Sequence, residues 1–462
     1  MSIDTHTHGS AAALPVPPKD RVSVLPVVFG GVDWQSRAKL GLDVRPTPRE
    51  QGRQRLSVYG EQLHGVHLLD LCEVGEADDV GKLVERSREA DAVVVMASEL
   101  LVVRQAARML SAIRVPIVMH GRENHPTAVF CDIYGALRAD GHDHVYMALD
   151  VAHLQSLLSA VRARKRLAST RALLVGDGYP SHSQVSNPAS PRVVEEKLGV
   201  QIVQRSIDDL RRRFDEAAEA QAAPLAQAWL NGAAAVADQA RKDIVEAARV
   251  YLAMKALIAD ADANAFTVDC RSWDLRTCEE FGSFYSPCMG LTQLRWEGMP
   301  AACEADLCAL LSMCALQYVS GLPAFLGNLG KVDRANGSIG IGGHAAATVN
   351  MDGSCDTMEG YRLTDYGGRG GVASYCSVEA GRPITIARFD KHLARISLAA
   401  GTTVATERCF EIVLDDVEDF VYRCVTGDHY IVVLGDHLKE MCILMHLLGV
   451  DVLTPSRAIP AF

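Results

Sequence analysis

The sequence predicts an α/β protein in which two parallel-sheet domains precede a small, β-rich C-terminal domain. Its 462 residues exceed what one ordinary core accommodates, so two or three domains are expected. Over most of the chain, short apolar runs alternate with amphipathic stretches, a pattern typical of parallel strands covered by helices on both faces. From about residue 346 glycines become frequent and short β-like runs dominate, which indicates a change of fold.

The first α/β domain is predicted over residues 22–168, after a polar, proline-containing lead of residues 1–21 that we expect to be flexible. Short apolar runs predict its strands at 24–29, 66–71, 92–97, 115–120 and 145–149. Amphipathic stretches such as 78–90 and 102–113 lie between these runs and predict the covering helices.

A second α/β domain is predicted over residues 169–345. It begins after the basic stretch 161–170, with an apolar run at 171–175, a glycine-containing turn and a further run at 200–207. The region 208–260 is rich in Ala, Glu, Lys and Arg and predicts a long helical segment. Residues 266–270 have the composition of a buried strand end.

The third domain is predicted over residues 346–462. Branched and aromatic residues predict strands at 383–389, 395–400, 402–406, 410–414 and 430–435. A last helix is predicted at 437–450. This part of the chain is therefore expected to be a small β domain.

Charge and cysteine usage exclude several classes of protein. The formal net charge of −11 opposes binding to nucleic acid or to an anionic membrane surface, both of which need a basic face. No window reaches the roughly 18 apolar residues of a membrane span. The 13 cysteines are scattered without CxxC pairs, and no apolar signal segment begins the chain. We therefore expect reduced thiols and a cytoplasmic protein.

Four segments carry side chains that could do chemistry. They are 302–313 with Glu304 and Asp306, 320–333 with Asn328, 339–351 with His344, and 426–441 with His429 and His437. Carboxylate, amide and imidazole groups together suit a borderline divalent cation, with Mn²⁺ expected and Co²⁺, Mg²⁺ or Zn²⁺ as alternatives. Such a cation could hold neighbouring oxygens of a sugar and polarise its carbonyl, while a carboxylate takes the adjacent proton.

Each of these residues also has an ordinary structural interpretation. A carboxylate at a helix start is usually a cap, and a single histidine is usually a hydrogen-bonded structural residue. The glycines of SIGIGGH, YGGRGG and GDGYPSH are more often turns than phosphate-binding loops. Cysteines such as Cys303 and Cys355 are likewise more often small core residues than nucleophiles. The residues alone therefore support two α/β domains, a β domain and a hypothesis of metal-dependent chemistry.

The order of the four segments resembles the L-fucose isomerase and L-arabinose isomerase family from about residue 170 to 450. ACEADLCALLSM is similar to the family segment in which a glutamate begins a helix and binds the metal, and SGLPAFLGN is similar to the strand that ends in its second acidic ligand. RPITIARF followed by TGDHYIVVLGDHLKEM resembles the C-terminal β domain that supplies a histidine ligand. The resemblance implies two Rossmann-like parallel-sheet domains and a small, barrel-like C-terminal domain.

The resemblance assigns roles residue by residue. Glu304 matches the first carboxylate, which is a metal ligand and an acid/base group, and His429 matches the C-terminal histidine ligand. His344 matches the additional histidine ligand of arabinose-type members. Asn328 falls where the family has its second carboxylate. An amide oxygen can bind a metal but cannot transfer a proton, so this position departs from the family pattern.

The activity that the resemblance implies is aldose–ketose isomerisation through a metal-bound cis-enediol. Asp306 or Asp333 would have to replace the missing second acid/base group, or the chemistry would change to a related enolisation. The family assembles as trimers or hexamers in which a neighbour's N-terminal domain completes the sugar site. The corresponding candidates for substrate binding are Trp34, Gln35, His120, Arg122 and His125.

Two other functions remain open from the sequence. A catalytically altered or non-catalytic sugar-binding relative is favoured by Asn328 and opposed by Glu304, His344 and His429. A nicotinamide-dependent oxidoreductase is disfavoured, because no GxGxxG with a downstream acid follows a predicted strand.

Overall fold

The structure is a computed structural model, and it describes residues 20–30, 47–75, 79–98, 103–121, 127–176, 186–188, 190–342, 344, 351, 361–365, 370–406 and 409–455. The chain divides into two compact units between Arg166 and Leu167. None of the described helices is long and apolar enough to cross a membrane. Most of the predicted lead, residues 1–19, lies outside the described part of the chain.

The N-terminal unit is a parallel sheet with helices in its connections. Its strands are β1 Val22–Phe29, β2 Val66–Leu68, β3 Cys72–Val74, β4 Ala92–Ser98, β5 Ile117–His120 and β6 Val145–Ala148. Its helices are α1 Pro48–Gln62, α2 Asp79–Ser87, α3 Val103–Leu110, α4 Ala128–Ala139 and α5 Val151–Ala168. The strand order is β2-β1-β4-β5-β6, and β3 also pairs with β1. The predicted strand at 66–71 is thus two short strands, β2 and β3, both on one edge of β1.

A second parallel sheet opens the C-terminal unit. Its strands are β7 Arg171–Val175, β8 Gln201–Arg205, β10 Ala265–Val268 and β11 Ala301–Ala302, in the order β11-β10-β7-β8, while β9 Ala235–Val236 lies elsewhere. Its helices are α6 Pro191–Leu198, α7 Ile207–Glu216, α8 Glu219–Gly232, α9 Asp238–Asp260, α10 Cys270–Phe281, α11 Cys288–Trp296 and α12 Leu307–Ser320. The predicted helical region 208–260 is therefore three helices, the first of which is fixed by a capping box between Ser206 and Asp209.

A closed six-stranded antiparallel barrel forms the rest of this unit. The six strands are β12 Phe325–Asp333, β13 Ser338–Gly342, β16 Pro383–Phe389, β17 Arg395–Val404, β18 Phe410–Val413 and β19 His429–Leu434. β16 pairs with both β19 and β17, which closes the ring β16-β19-β12-β13-β18-β17. β14 Arg362–Thr364 and β15 Ala373–Tyr375 form a small sheet with β9, and β20 Asp451–Leu453 joins β17. The short turn α13 Val417–Asp419 and the helix α14 Leu438–Leu448 complete the unit.

The barrel begins earlier in the chain than the expected boundary at residue 346. β12 and β13 belong to it although the sequence placed them in the second α/β domain, because β12 pairs with β19, about 100 residues later. The strands predicted at 395–400 and 402–406 are the single strand β17. Branched and aromatic side chains fill the barrel core, among them Phe325, Ile339, Ile341, Ile384, Ile386, Ile412 and Val432.

Candidate metal centre

A group of side chains that could bind a metal ion lies where the parallel sheet of the C-terminal unit meets the barrel. Glu304 follows β11, at the carboxyl end of the parallel sheet, which is where ligands bind in open α/β sheets. His429 begins β19 of the barrel, and Asn328 lies directly opposite it on β12. Directly opposed residues of an antiparallel pair project on the same side of the sheet, so Asn328 and His429 face the same region.

The turn that carries Glu304 is strained and firmly held. Glu304 has a φ of 56° and Ala305 a φ of 51°, both in the left-handed region that residues with a Cβ rarely adopt. Each such residue costs about 1–3 kcal/mol and persists only where the surroundings fix it. Here Asn187 donates to the Ala305 carbonyl at 2.9 Å and accepts from the Leu307 amide at 2.8 Å. Strain of this kind is concentrated at functional sites.

Three side chains converge on one point. His429 Nε2 lies 2.9 Å from His344 Nε2 and 3.9 Å from Glu304 Oε2. One ligand atom from each of the three residues lies within 4.8 Å of the others. Two ligands with metal bonds of about 2.1 Å are roughly 3–3.4 Å apart, so the spacing suits a shared cation.

Asp306 fixes the orientation and tautomer of His429. Its Oδ2 accepts from His429 Nδ1 at 2.8 Å and from Arg388 Nη1 at 2.9 Å, and its Oδ1 accepts from the Ala309 amide at 2.9 Å. Burial would raise the pKa of Asp306, but the Arg388 charge and the His429 hydrogen bond outweigh it and hold that pKa well below its usual range. An ionised carboxylate only accepts, so His429 carries its proton on Nδ1 and presents the Nε2 lone pair to the site.

His344 is oriented by a thiol. Its Nδ1 lies 3.1 Å from Cys303 Sγ, which leaves Nε2 facing His429. Burial, followed by the neighbouring His429, lowers the pKa of His344 to about 4, so the ring is neutral at pH 7 as a metal ligand must be. When His344 Nδ1–H donates to the sulfur, the Nε2 lone pairs of His344 and His429 point toward each other. A cation between them stabilises this arrangement.

The residues present fit a divalent cation, and Asn328 supplies an independent observation for it. Its Oδ1 is buried and has no hydrogen-bond partner among the described residues. A buried carbonyl oxygen without a partner costs about 1–3 kcal/mol, whereas the same oxygen is an ordinary ligand for a hard or borderline cation. Two imidazoles, one carboxylate and one amide oxygen could therefore hold such an ion, with Asn328 on the barrel side.

A second possible group for a metal, Asp306, Asp428 and His429, shares the same histidine. The Asp306 oxygens of this group already accept hydrogen bonds from Arg388, His429 and Ala309. Of the two groups, the one that contains Glu304 and His344 is therefore the better candidate for a cation site.

Of the predicted site residues, the structure brings together Glu304, His344 and His429, with Asn328 opposite His429 on the adjoining strand. His120 lies in the N-terminal unit at the end of β5, buried, with its Nδ1 against the Tyr59 hydroxyl. Burial and the nearby charge of Arg55 lower the pKa of His120 to about 4. The other predicted substrate residues, Trp34, Gln35, Arg122 and His125, lie outside the described residues.

Neither of the other expected carboxylates replaces the missing acid/base group in this arrangement. Asp306 serves His429 and Arg388, and Asp333 accepts from the amides of Ala335 and Asn336 in a turn. His437 precedes α14, and its Nε2 contacts the Leu434 carbonyl.

Sequence reasoning missed Arg388 and Arg271. Arg388 is fully buried, and a single arginine inside the apolar run PITIARF was the available signal. Arg271 Nη2 lies 3.2 and 3.3 Å from the two oxygens of Glu304. Its position one residue inside α10, just beyond the carboxyl end of β10, could have identified it.

No protein-family model matches the sequence, and comparison with curated proteins likewise found no match.

Proposed function

We propose that this protein is a divalent-metal-dependent enzyme that moves a proton between adjacent carbons of a sugar, in an aldose–ketose isomerisation or a related enolisation. The observation that carries the proposal is the convergence of Glu304 Oε2 and His344 Nε2 on His429 Nε2, at 3.9 and 2.9 Å. All three side chains are in the C-terminal unit, and a buried carboxylate–arginine pair supports the central histidine. Mn²⁺ is the proposed ion, because nitrogen and oxygen donors are mixed.

Glu304 is the proposed acid/base group. A bound divalent cation would polarise the sugar carbonyl and acidify the neighbouring carbon. The Glu304 carboxylate is largely buried, with a side-chain exposure of 10%, and Arg271 contacts both of its oxygens. It could accept the proton from one carbon and return it to the next.

Asn328 makes this a mechanism with one carboxylate. Its amide can position an oxygen or bind the cation, but it cannot carry a proton. Asp306 is ionised and its oxygens are occupied, so it does not act as a second acid. Glu304 would therefore both remove and deliver the proton.

The resemblance to L-fucose and L-arabinose isomerases agrees with this proposal. The resemblance implies parallel-sheet domains and a barrel-like domain, and the chain contains parallel sheets and a closed barrel. Rossmann-like topology of the parallel-sheet domains is part of the proposal. Assembly into trimers or hexamers is part of the same proposal, whereas His120 is buried against Tyr59 and is not placed at a neighbour's sugar.

Proton exchange in deuterated water tests the proposed function directly. We expect the Mn²⁺-loaded protein to incorporate deuterium at the carbon next to the carbonyl of at least one aldose or ketose in a sugar panel, detected by NMR. Exhaustive chelation should abolish exchange and Mn²⁺ should restore it, since the cation acidifies that carbon. Exchange at full rate after chelation would contradict the metal dependence.

A sugar-binding protein without catalysis is the second candidate, and Asn328 favours it. Asn328→Asp distinguishes the two, because it adds a carboxylate beside His429 without changing side-chain size. For an enzyme we expect about tenfold tighter Mn²⁺ binding and altered exchange kinetics, since second carboxylates both attract the cation and transfer protons. Asn231→Asp, on α8 and hydrogen-bonded to Gln227, is the matched control. Sugar binding without exchange in both wild type and Asn328→Asp would favour the binding protein.

A further inference from the structure

Arg271 lies beside Glu304 at the solvent side of the metal centre. Its Nη2 contacts both Glu304 oxygens, while its own side chain is 64% exposed and that of Glu304 only 10% exposed. Among the described residues its Nη1 and Nε have no hydrogen-bond partner. Part of a rigid, planar guanidinium is therefore available next to the proposed acid/base group.

The charges at the centre leave a positive excess once a cation is bound. Glu304 contributes the one negative charge among the proposed ligands, because Asn328 and the two imidazoles carry none. Asp306 and Arg388 form a closed pair at 2.9 Å. A divalent ion and Arg271 together exceed the single Glu304 charge by two.

Two further carboxylates offset this excess in the overall charge count, but neither pairs with Arg271. Asp428 is exposed, and its Oδ1 accepts from the His429 amide. Asp269 is buried, and its oxygens accept from the Ser272 amide and hydroxyl. Neither contacts the guanidinium in the described structure, so Arg271 pairs with Glu304 alone.

The single charge of Glu304 cannot neutralise both a divalent ion and the Arg271 guanidinium. A carboxylate that binds a divalent ion gives up part of the charge that holds Arg271, and the ion and the guanidinium repel each other. A ligand with its own oxyanion would relieve this repulsion by pairing with the free side of the guanidinium, for which arginine has the appropriate fork geometry.

We infer that Arg271 selects a sugar substrate that carries an oxyanion group, a carboxylate, phosphate or sulfonate, over a neutral sugar. This inference rests on the proposed function and names the substrate class of the same site. Arg271 is much more exposed than Glu304, so it would meet the anionic group of the substrate while the polyol oxygens reach the cation.

Binding of unreactive polyols separates this inference from catalysis. Calorimetry on the Mn²⁺-loaded full chain would compare D-gluconate and D-glucitol 6-phosphate with the neutral D-glucitol. We expect at least one anionic probe to bind about tenfold more tightly than D-glucitol, as a charge-assisted pair with arginine provides. Arg271→Gln should remove that preference, measured as the ratio of the anionic to the neutral affinity, and Arg271→Lys should restore part of it.

Arg276→Gln is the matched control, since Arg276 lies on the same helix and pairs with Asp208 away from the ligand group. It should retain the wild-type preference. Equal affinities for neutral and anionic probes in the wild type, or an unchanged preference in Arg271→Gln, would overturn the inference and leave the proposed function standing. Failure of all three probes to bind would overturn the proposed function and this inference with it.

Discussion

Glu304→Gln is expected to lower kcat/KM for proton exchange by about 10²–10⁴-fold, the usual contribution of a positioned acid/base group. Glutamine keeps the length of the side chain and an amide oxygen that can still contact the cation, but it cannot accept a proton. Glutamine and glutamate have the same backbone preferences at a φ of 56°, so the turn should be preserved. The loss should therefore appear in the rate at saturating Mn²⁺, as measured by deuterium incorporation.

Two measurements separate this effect from a general loss of structure. Urea unfolding should give nearly the same free energy for Glu304→Gln and wild type, because the ion pair removed is with the exposed Arg271. Glu379→Gln, a change of the same chemistry at an exposed pair with Arg382, should leave exchange unchanged. An undiminished rate in Glu304→Gln would remove Glu304 from the chemistry.

The candidate ligands could be proposed from sequence because they lie beside recognisable elements. Glu304 precedes the apolar helix α12, and His429 opens an apolar strand, so both were expected at element ends. That Asn328 and His429 lie together could not be seen in the local pattern, since β12 pairs with β19 across about 100 residues. Only the order of the segments and a family resemblance indicated that they converge.

The supporting residues were less predictable for a physical reason. Asp306 has the signature of an ordinary helix cap, and it does cap α12 with its Oδ1 while Oδ2 serves His429 and Arg388. Asn187 is buried and holds the strained turn by two hydrogen bonds, but nothing in its sequence pattern indicates that role. Likewise, strand pattern predicted four of the six barrel strands, β16 to β19, while closure depends on the pairing of β16 with β17 and β19.

Asp306→Asn is expected to destabilise the C-terminal unit by about 3–5 kcal/mol, because it leaves the charge of Arg388 buried without its partner. Asp306 and Arg388 are both fully buried, and their side chains pair at 2.9 Å. Gly427 lies directly against the guanidinium, so Arg388 has little room to find another partner. Asparagine is itself a good N-cap, and loss of the α12 cap should therefore contribute little. Urea unfolding of the metal-free protein measures this loss.

The same substitution should also weaken Mn²⁺ binding by about 10–100-fold, the usual effect of removing a partner that orients a histidine ligand. The asparagine side chain has only one acceptor oxygen, whereas Asp306 accepts from the Ala309 amide with one oxygen and from His429 Nδ1 with the other. If its nitrogen faces His429, the imidazole must carry its proton on Nε2 and loses the lone pair that the cation needs. Metal titration at constant pH detects this change.

The double variant Asp306→Asn with Arg388→Met separates the two effects. Methionine removes the unpaired buried charge, so most of the unfolding free energy should return. The tautomer of His429 would remain unconstrained, so Mn²⁺ affinity should stay low even in the restabilised protein. Recovery of wild-type Mn²⁺ affinity together with stability would show instead that Asp306 acts on the centre only through the fold, and that His429 needs no carboxylate to present Nε2.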